Sequence, residues 1–276
     1  MRPLWPHALA LVFLLTTLCG ACAHPVRVHP LAPDDPRPRA LIAAWNGWAR
    51  QRLGLRARAA LAVDGPDAHF RVRQVLVVER PSRLRVEVLG FLDQTVAVLV
   101  IEGSRYEFFD AENRAYESGE VHDGLLWQYA RIDLTPGEAI DLLLGAPILD
   151  PTLHPVRAAA SGAGAIWADL VDERGVVRQR VGFDREGRLV EFEVRDTAGA
   201  LEWRARFEDY AEVDGDDVAH TIALEGSAGR SRAEIELRDV DLAPDVPNGL
   251  FRLRAAKRRP RARIPRAAPL RLTSRR

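Results

Sequence analysis

Cys19 and Cys22 are the only thiols in this 276-residue chain, and they stand together at the end of an apolar run. A C-x-x-C pair can carry out thiol exchange, but that needs a helix N-terminus beside a βαβ unit to lower one thiol's pKa. No such unit follows. Arg2 gives the chain a positive start, Ala8 to Leu15 form an uninterrupted apolar core, and the small residues Gly20 and Ala21 precede a cysteine. That order describes a secretory signal peptide over residues 1–21 whose cleavage leaves Cys22 as the new N-terminus. A plain cleaved signal and an uncleaved anchor are the other readings, although the run is short for a bilayer span. Cleavage before Cys22 would leave one cysteine and no structural disulfide, even in a compartment that permits one.

The leader resembles the lipobox of bacterial lipoproteins, in which the cysteine thiol receives a diacylglycerol and the new amine is then acylated. Cys19 departs from that pattern, which usually has leucine there. The resemblance makes Cys22 the lipidated residue. At about 0.8 kcal/mol per buried CH₂, several acyl chains form a lasting anchor.

Bond-making chemistry finds little support elsewhere. His69, His122, His154 and His220 are scattered without a ligand pair such as H-x-x-x-H. His220 is in phase with Val218, Ile222 and Leu224, which predicts a hydrogen-bonded core histidine. Glu225-Gly226-Ser227-Ala228-Gly229 lacks the leading glycine of a nucleophile elbow, and Gly162-Ala163-Gly164 lacks the third glycine of a dinucleotide loop. The expectation is a non-enzymatic protein with no metal and no cofactor.

The chain is formally neutral, with 39 basic and 39 acidic residues, but the charge is unevenly spread. Lys257 to Arg276 hold nine basic residues and no acidic one. Setting those and Arg2 aside leaves 29 basic against 39 acidic residues, so Cys22 to Ala256 carries −10. The tail, residues 256–276, is read as disordered, either suited to lipid or lipopolysaccharide phosphates or a solvated end without a role. Nucleic acid is the weaker partner for an exported protein.

Five prolines between Ala23 and Pro38 suggest a tether over residues 22–38. Leu41, Ile42, Trp45, Trp48 and Leu53 then recur at helical spacing, predicting an amphipathic helix over 39–53 closed by Gly54. From Leu55 the period becomes two. Leu84, Val86 and Val88 alternate with Arg83, Arg85 and Glu87, the pattern of a strand with one buried face. Thr135-Pro136-Gly137-Glu138 combines an N-cap, a first-turn proline and a capping-box glutamate, with Gly145 as the stop. Further strands place Val190, Phe192 and Val194, and then Leu201, Trp203 and Phe207, on buried faces opposite Glu and Arg. The predicted fold is mainly β with helices, a strongly curved antiparallel sheet or incomplete barrel over residues 39–255.

This order, with Arg80-Pro81-Ser82-Arg83-Leu84-Arg85, Leu142-Leu143-Leu144-Gly145 and Pro247-Asn248-Gly249-Leu250-Phe251-Arg252-Leu253, resembles the outer-membrane lipoprotein-sorting family. That family comprises the periplasmic carrier LolA and the anchored receptor LolB, and the lipobox points toward the receptor. The resemblance implies an incomplete barrel with a helical lid over a hydrophobic cavity for acyl chains, lined by the nine inward residues just named. It also implies that Phe91 and Leu92, in the turn after Val88, project to touch or enter the membrane, whereas the residues alone equally allow them to fold inward and cap the sheet. The implied partners are acyl chains of lipoproteins or lipids, a LolA-like carrier and the inner leaflet of the bacterial outer membrane, with the protein facing the periplasm. A carrier of free lipid or glycolipid, and an envelope sensor or scaffold with a filled interior, are the alternatives.

Acylation of Cys22 has a direct consequence. Cys22→Ala should release the protein from the membrane fraction or leave it unprocessed, and unchanged attachment and gel mobility would exclude lipidation at this residue.

Overall fold

The computed structural model describes residues 28–66, 68–227, 231–247 and 249–253. The leader 1–21, Cys22 and the tail 256–276 lie outside the described residues.

Short turns join nearly every apolar-alternating segment to the next, so the strands pair antiparallel. Fourteen form one sheet: β1 (Val28–Pro30), β2 (Gly54–Gly65), β3 (Ala68–Glu79), β4 (Arg83–Leu89), β5 (Thr95–Glu102), β6 (Arg105–Asp110), β7 (Ala115–Glu120), β8 (His154–Ser161), β9 (Ile166–Val171), β10 (Val177–Phe183), β11 (Leu189–Arg195), β12 (Leu201–Val213), β13 (Asp216–Gly226) and β14 (Arg232–Asp241). Their spatial order is β1-β8-β9-β10-β11-β12-β13-β14-β2-β3-β4-β5-β6-β7. Thus β14 pairs with β2 and fuses the two β-rich halves of the sequence, while β1 and β7 remain as edges of a curved, unclosed sheet. This is the expected fold class. The β12–β13 turn shows how locally it is specified: Asp214 and Gly215 both take positive φ, +53° and +88°, as a two-residue hairpin with the strands' own twist requires.

Three helices cover the inner face: α1 (Arg37–Ala49), α2 (Leu125–Ala130) and α3 (Pro136–Leu143). The first begins earlier and ends sooner than the predicted 39–53, because its prolines lie in the first turn, where no N–H is needed. Gly54 opens β2 instead of closing α1. Part of the predicted tether is also structured, since Val28–Pro30 pairs with β8 as an edge strand, a position that tolerates proline. The capping box forms at α3, where the Glu138 N–H donates to Thr135 Oγ1 at 3.3 Å and the Thr135 N–H to Glu138 Oε2 at 2.8 Å. Its other end is a Schellman motif around Gly145 (φ +62°), with Ala146 N donating to Asp141 O and Gly145 N to Leu142 O.

The core beneath α1 is closely tied. Trp45 Nε1 donates to the Pro147 carbonyl at 2.9 Å, and the Trp45 ring meets Phe183 edge-on at 6.0 Å. Buried Asn46 bonds Leu149 twice, Nδ2 donating to its carbonyl at 3.1 Å and Oδ1 accepting from its N–H at 2.9 Å. The stretch after α3, with Leu144, Ala146 and Leu149 fully buried, is thereby pinned to α1.

On the outer face residues 249–253 form a strap. Phe251 is buried with Val77, Val98 and Val100, Arg85 Nη1 donates to the Leu250 carbonyl at 2.9 Å, and the Arg83 guanidinium lies 5.6 Å from the Phe251 ring centre. Val96 to Ile101 is accordingly apolar without interruption, because β5 is covered on both faces in its central part.

Asn46→Ala would strand two buried backbone groups of Leu149. The expected loss of unfolding free energy is about 2 to 4 kcal/mol in a denaturant titration, and a loss below about 0.5 kcal/mol would show that the stretch after α3 is held without Asn46.

Candidate functional site

Where α2 and α3 cross β2–β5, the cover is incomplete. Leu61, Leu76, Leu84 and Leu99 from the sheet face Leu126, Tyr129, Leu142 and Leu143 from the helices across a cavity of about 170 Å³. Ile222 and Ile235 close its far side. Among the described residues Gln74 and Tyr129 supply the only polar side chains of the lining, and no ionisable acid or base lines it. Burial, with Glu117 and Tyr106 nearby, pushes the Tyr129 phenol well above its ordinary pKa, so it stays neutral. Among the described residues no three His, Cys, Asp or Glu side chains gather in a way that could hold a metal ion.

The nine residues assigned to the cavity divide. Leu84, Val86 and Val88 line it. The six on β11 and β12 do not. Phe192, Trp203 and Phe207 are buried in solid core, with Val194 packed against them. That half of the sheet is filled: Trp203 Nε1 donates to Glu138 Oε1 at 2.9 Å, and its ring meets Phe192 edge-on at 5.3 Å. Val190 and Leu201 leave the inward series altogether, because irregularities place Gly182 opposite Glu191 but Phe183 opposite Leu189, and Val194 opposite Trp203 but Arg195 opposite Leu201. His220 is likewise not a core residue. Asp209, opposite it, takes φ +55°, Ala219 and Tyr210 pack inward beyond that point, and His220 stays half-buried with Nδ1 3.2 Å from the Val218 carbonyl.

Phe70, Val72 and Gln74 belong to the lining but escaped sequence reasoning. Alternation marks them faintly, since Val75, Val77 and Val78 blur the phase of β3. The strap explains part of that blur, because it buries Val77 from outside.

Phe91 and Leu92 are 91% and 80% exposed at the β4–β5 loop, the two most exposed large apolar side chains among the described residues. The loop is not slack. Gly90 N donates to Gln94 O at 2.8 Å, Leu92 N donates to Gln94 Oε1 at 2.9 Å, and Asp93 sits at φ +59°. Arg73 of β3 binds three points on it: the Gly90 carbonyl at 2.9 Å, the Phe91 carbonyl at 3.3 Å and the Asp93 carboxylate at 2.7 Å. A side chain at Gly90 would meet Gln94 Nε2 at 2.5 Å and Val96 Cγ1 at 2.9 Å, so only glycine lets the loop fold this tightly.

Val72, Gln74, Val88 and Val96 border both the apolar cavity and a broad groove of about 1410 Å³ that runs past Phe91 to Arg71 and Glu236. The mouth of the cavity therefore opens beside the loop. Solved structures with a similar backbone fold include LolA-type proteins. A LolA superfamily protein from Nitrosomonas europaea superposes with a TM-score of 0.51 at 15% identity, covering 77% of this chain and 96% of its own. A structure described as an outer membrane lipoprotein-sorting protein domain, from Vibrio parahaemolyticus, gives 0.51 at 12% identity over 76% and 94%. A DUF1329 family protein from Desulfovibrio piger gives 0.52 at 10% over 79% and 97%. No protein-family model and no curated protein sequence matches the chain. At such identities the likeness to LolA-type structures is one of backbone, and the cavity and loop are described by this chain's own residues.

Arg73→Ala should loosen the loop without unfolding the sheet, because the ion pair is half-exposed and worth at most about 1 kcal/mol. Amide exchange at residues 91–93 should accelerate about tenfold while the global transition moves little. Unchanged exchange would show that Gln94 holds the loop by itself.

Proposed function

We infer that this chain is a lipid-anchored envelope protein that accepts acyl chains of lipoproteins or lipids in its cavity and passes them to a membrane, without bond chemistry. The observation that carries this reading is the uncharged cavity whose mouth opens beside Phe91 and Leu92. The LolA-type fold agrees with it, and the lipobox resemblance favours an anchored receptor at the outer membrane, facing the periplasm and supplied by a LolA-like carrier. Each methylene moved from water into such a lining gains about 0.8 kcal/mol. Burying Phe91 or Leu92 in lipid contributes about 1.5 to 3 kcal/mol each, enough to guide contact and weak enough to release.

At about 170 Å³ the cavity accepts only a short apolar segment, since ligand pockets commonly run from about 300 to 1,000 Å³. A full acyl chain requires the lid to move. The ties to be shifted are Trp203 to Glu138 and the Arg80–Asp141 pair at 3.1 Å, where burial pushes the Asp141 carboxyl up and Arg80 opposes it.

Two variants test the reading with an environment-sensitive fatty-acid probe. Val86→Trp should fill the cavity and weaken probe binding about tenfold or more at a stability cost of about 1 to 3 kcal/mol. Phe91→Glu with Leu92→Glu should keep binding and stability but slow transfer of the probe to liposomes. A wild-type protein that binds no probe would favour the filled scaffold, and normal transfer by the double variant would remove the loop from the mechanism.

A further inference from the structure

Gln74 is anomalous in this cavity. It is 4% exposed, and the register sets it on the inward face between Ala59 of β2 and Val88 of β4. Its neighbours at the mouth, Val72, Val88 and Val96, are all valine. No hydrogen bond joins its carboxamide to another described residue, and it is not among the polar atoms sealed from solvent without a partner, so it is satisfied from the throat side. A leucine would fill the same space with no polar group to satisfy. The amide faces the open throat, where the apolar cavity meets the wide groove.

Resting on the acyl-binding reading above, we propose that Gln74 recognises the carbonyl oxygen at the head of an acyl chain, whether ester or amide, and so sets how deep the chain enters. Among the described residues the cavity below Gln74 has no other side-chain hydrogen-bond donor apart from Tyr129, so it suits methylenes. The groove above carries Arg71, Arg73, Asp93, Glu236 and Asp239, so it suits a polar headgroup. An acyl ester changes from apolar to polar at its carbonyl, and the one amide donor of this lining stands where the surroundings change in the same way. A pure hydrocarbon would leave the Gln74 amide unpaired, whereas a carbonyl accepts from Nε2. The ligand class is therefore a carbonyl-headed chain, which the cavity distinguishes from an alkyl ether of equal length.

Methyl octanoate and octyl methyl ether present the same chain with and without that oxygen, and each can be titrated against the fatty-acid probe on wild-type protein and on Gln74→Leu. Comparing the two affinity ratios cancels the ligands' different hydration, as a double-mutant cycle does. The ester-to-ether ratio should fall about fivefold in Q74L, the worth of one net hydrogen bond. The ester carbonyl stretch in the wild-type complex should also move to lower frequency, a reading that stands even if Q74L fails to fold. An unchanged ratio, or a carbonyl stretch at its hydrocarbon-solvent value, overturns the assignment while leaving acyl binding intact. Failure of both ligands to bind wild-type protein overturns the acyl-binding reading itself.

Discussion

Alternate side chains of at least ten strands point into the curl of the sheet, and most of those on the inner rungs are aliphatic or aromatic. Because β1 and β7 do not meet, strands alone cannot seal this surface from water. Helices and loops must do so, and they do it unequally. Under α1 and the stretch 144–149 the interior is filled by Trp45, Phe183 and Leu149 and tied by Asn46. Under α2 and α3 the helices are short, six and eight residues, and they bridge more sheet than their side chains can fill. The cavity is what remains. It sits next to solid core because Glu138, already engaged in the capping box, also accepts from Trp203 and holds α3 down over β12.

The same requirement acts on the outer face. A strand buried on one side alternates, whereas the middle of β5 does not, since it faces the cavity inward and the Phe251 strap outward. Sandwiching makes the wall of the cavity firm where chain entry would otherwise push it outward, and it leaves the helices as the surface that can yield. On the proposed reading an acyl chain of ordinary length would exceed the resting space, and the side free to give way would be the one fastened by a few polar contacts, Glu138–Trp203 and Arg80–Asp141.

Fold class was legible in the sequence because alternation in residues 83–88 and 189–208 and the capping box at Thr135 are local signals, each fixed by its own few residues. The position of the cavity was not. Val190, Phe192, Val194, Leu201, Trp203 and Phe207 carry the strongest alternation in the chain, yet strong alternation marks an inward face and is blind to whether that face meets a helix or a void. Bulges compound the problem, as at Val190 and Leu201, where a slip in pairing turns a side chain that a strict period of two would send inward. Conversely, β3 lines the cavity with a pattern that two-sided burial obscures. Phe91 and Leu92 came from the family resemblance; two large apolar residues in a turn contradict the usual chemistry of turns, and the structure exposes both.

Arg73 and Gln74 are adjacent on β3 and serve opposite faces, the first gripping the loop outside and the second lying at the throat inside. The mouth and the loop are therefore set by one peptide unit, and strand geometry makes their separation fixed. A one-residue slip of β3 would exchange them, carrying a guanidinium into an uncharged cavity at a cost of several kcal/mol. That penalty guards the register of the two hairpins to which β3 belongs, with β2 and with β4. The irregular pairing near Val96, where Val88 opposes Ala97 but Leu89 opposes Thr95, completes the arrangement. It turns the end of the β4–β5 hairpin so that Val96 borders the mouth while Phe91 stands clear of it. The apolar spike and the throat thus share one rigid frame, and on the proposed reading a chain leaving the cavity would emerge beside Phe91 and Leu92.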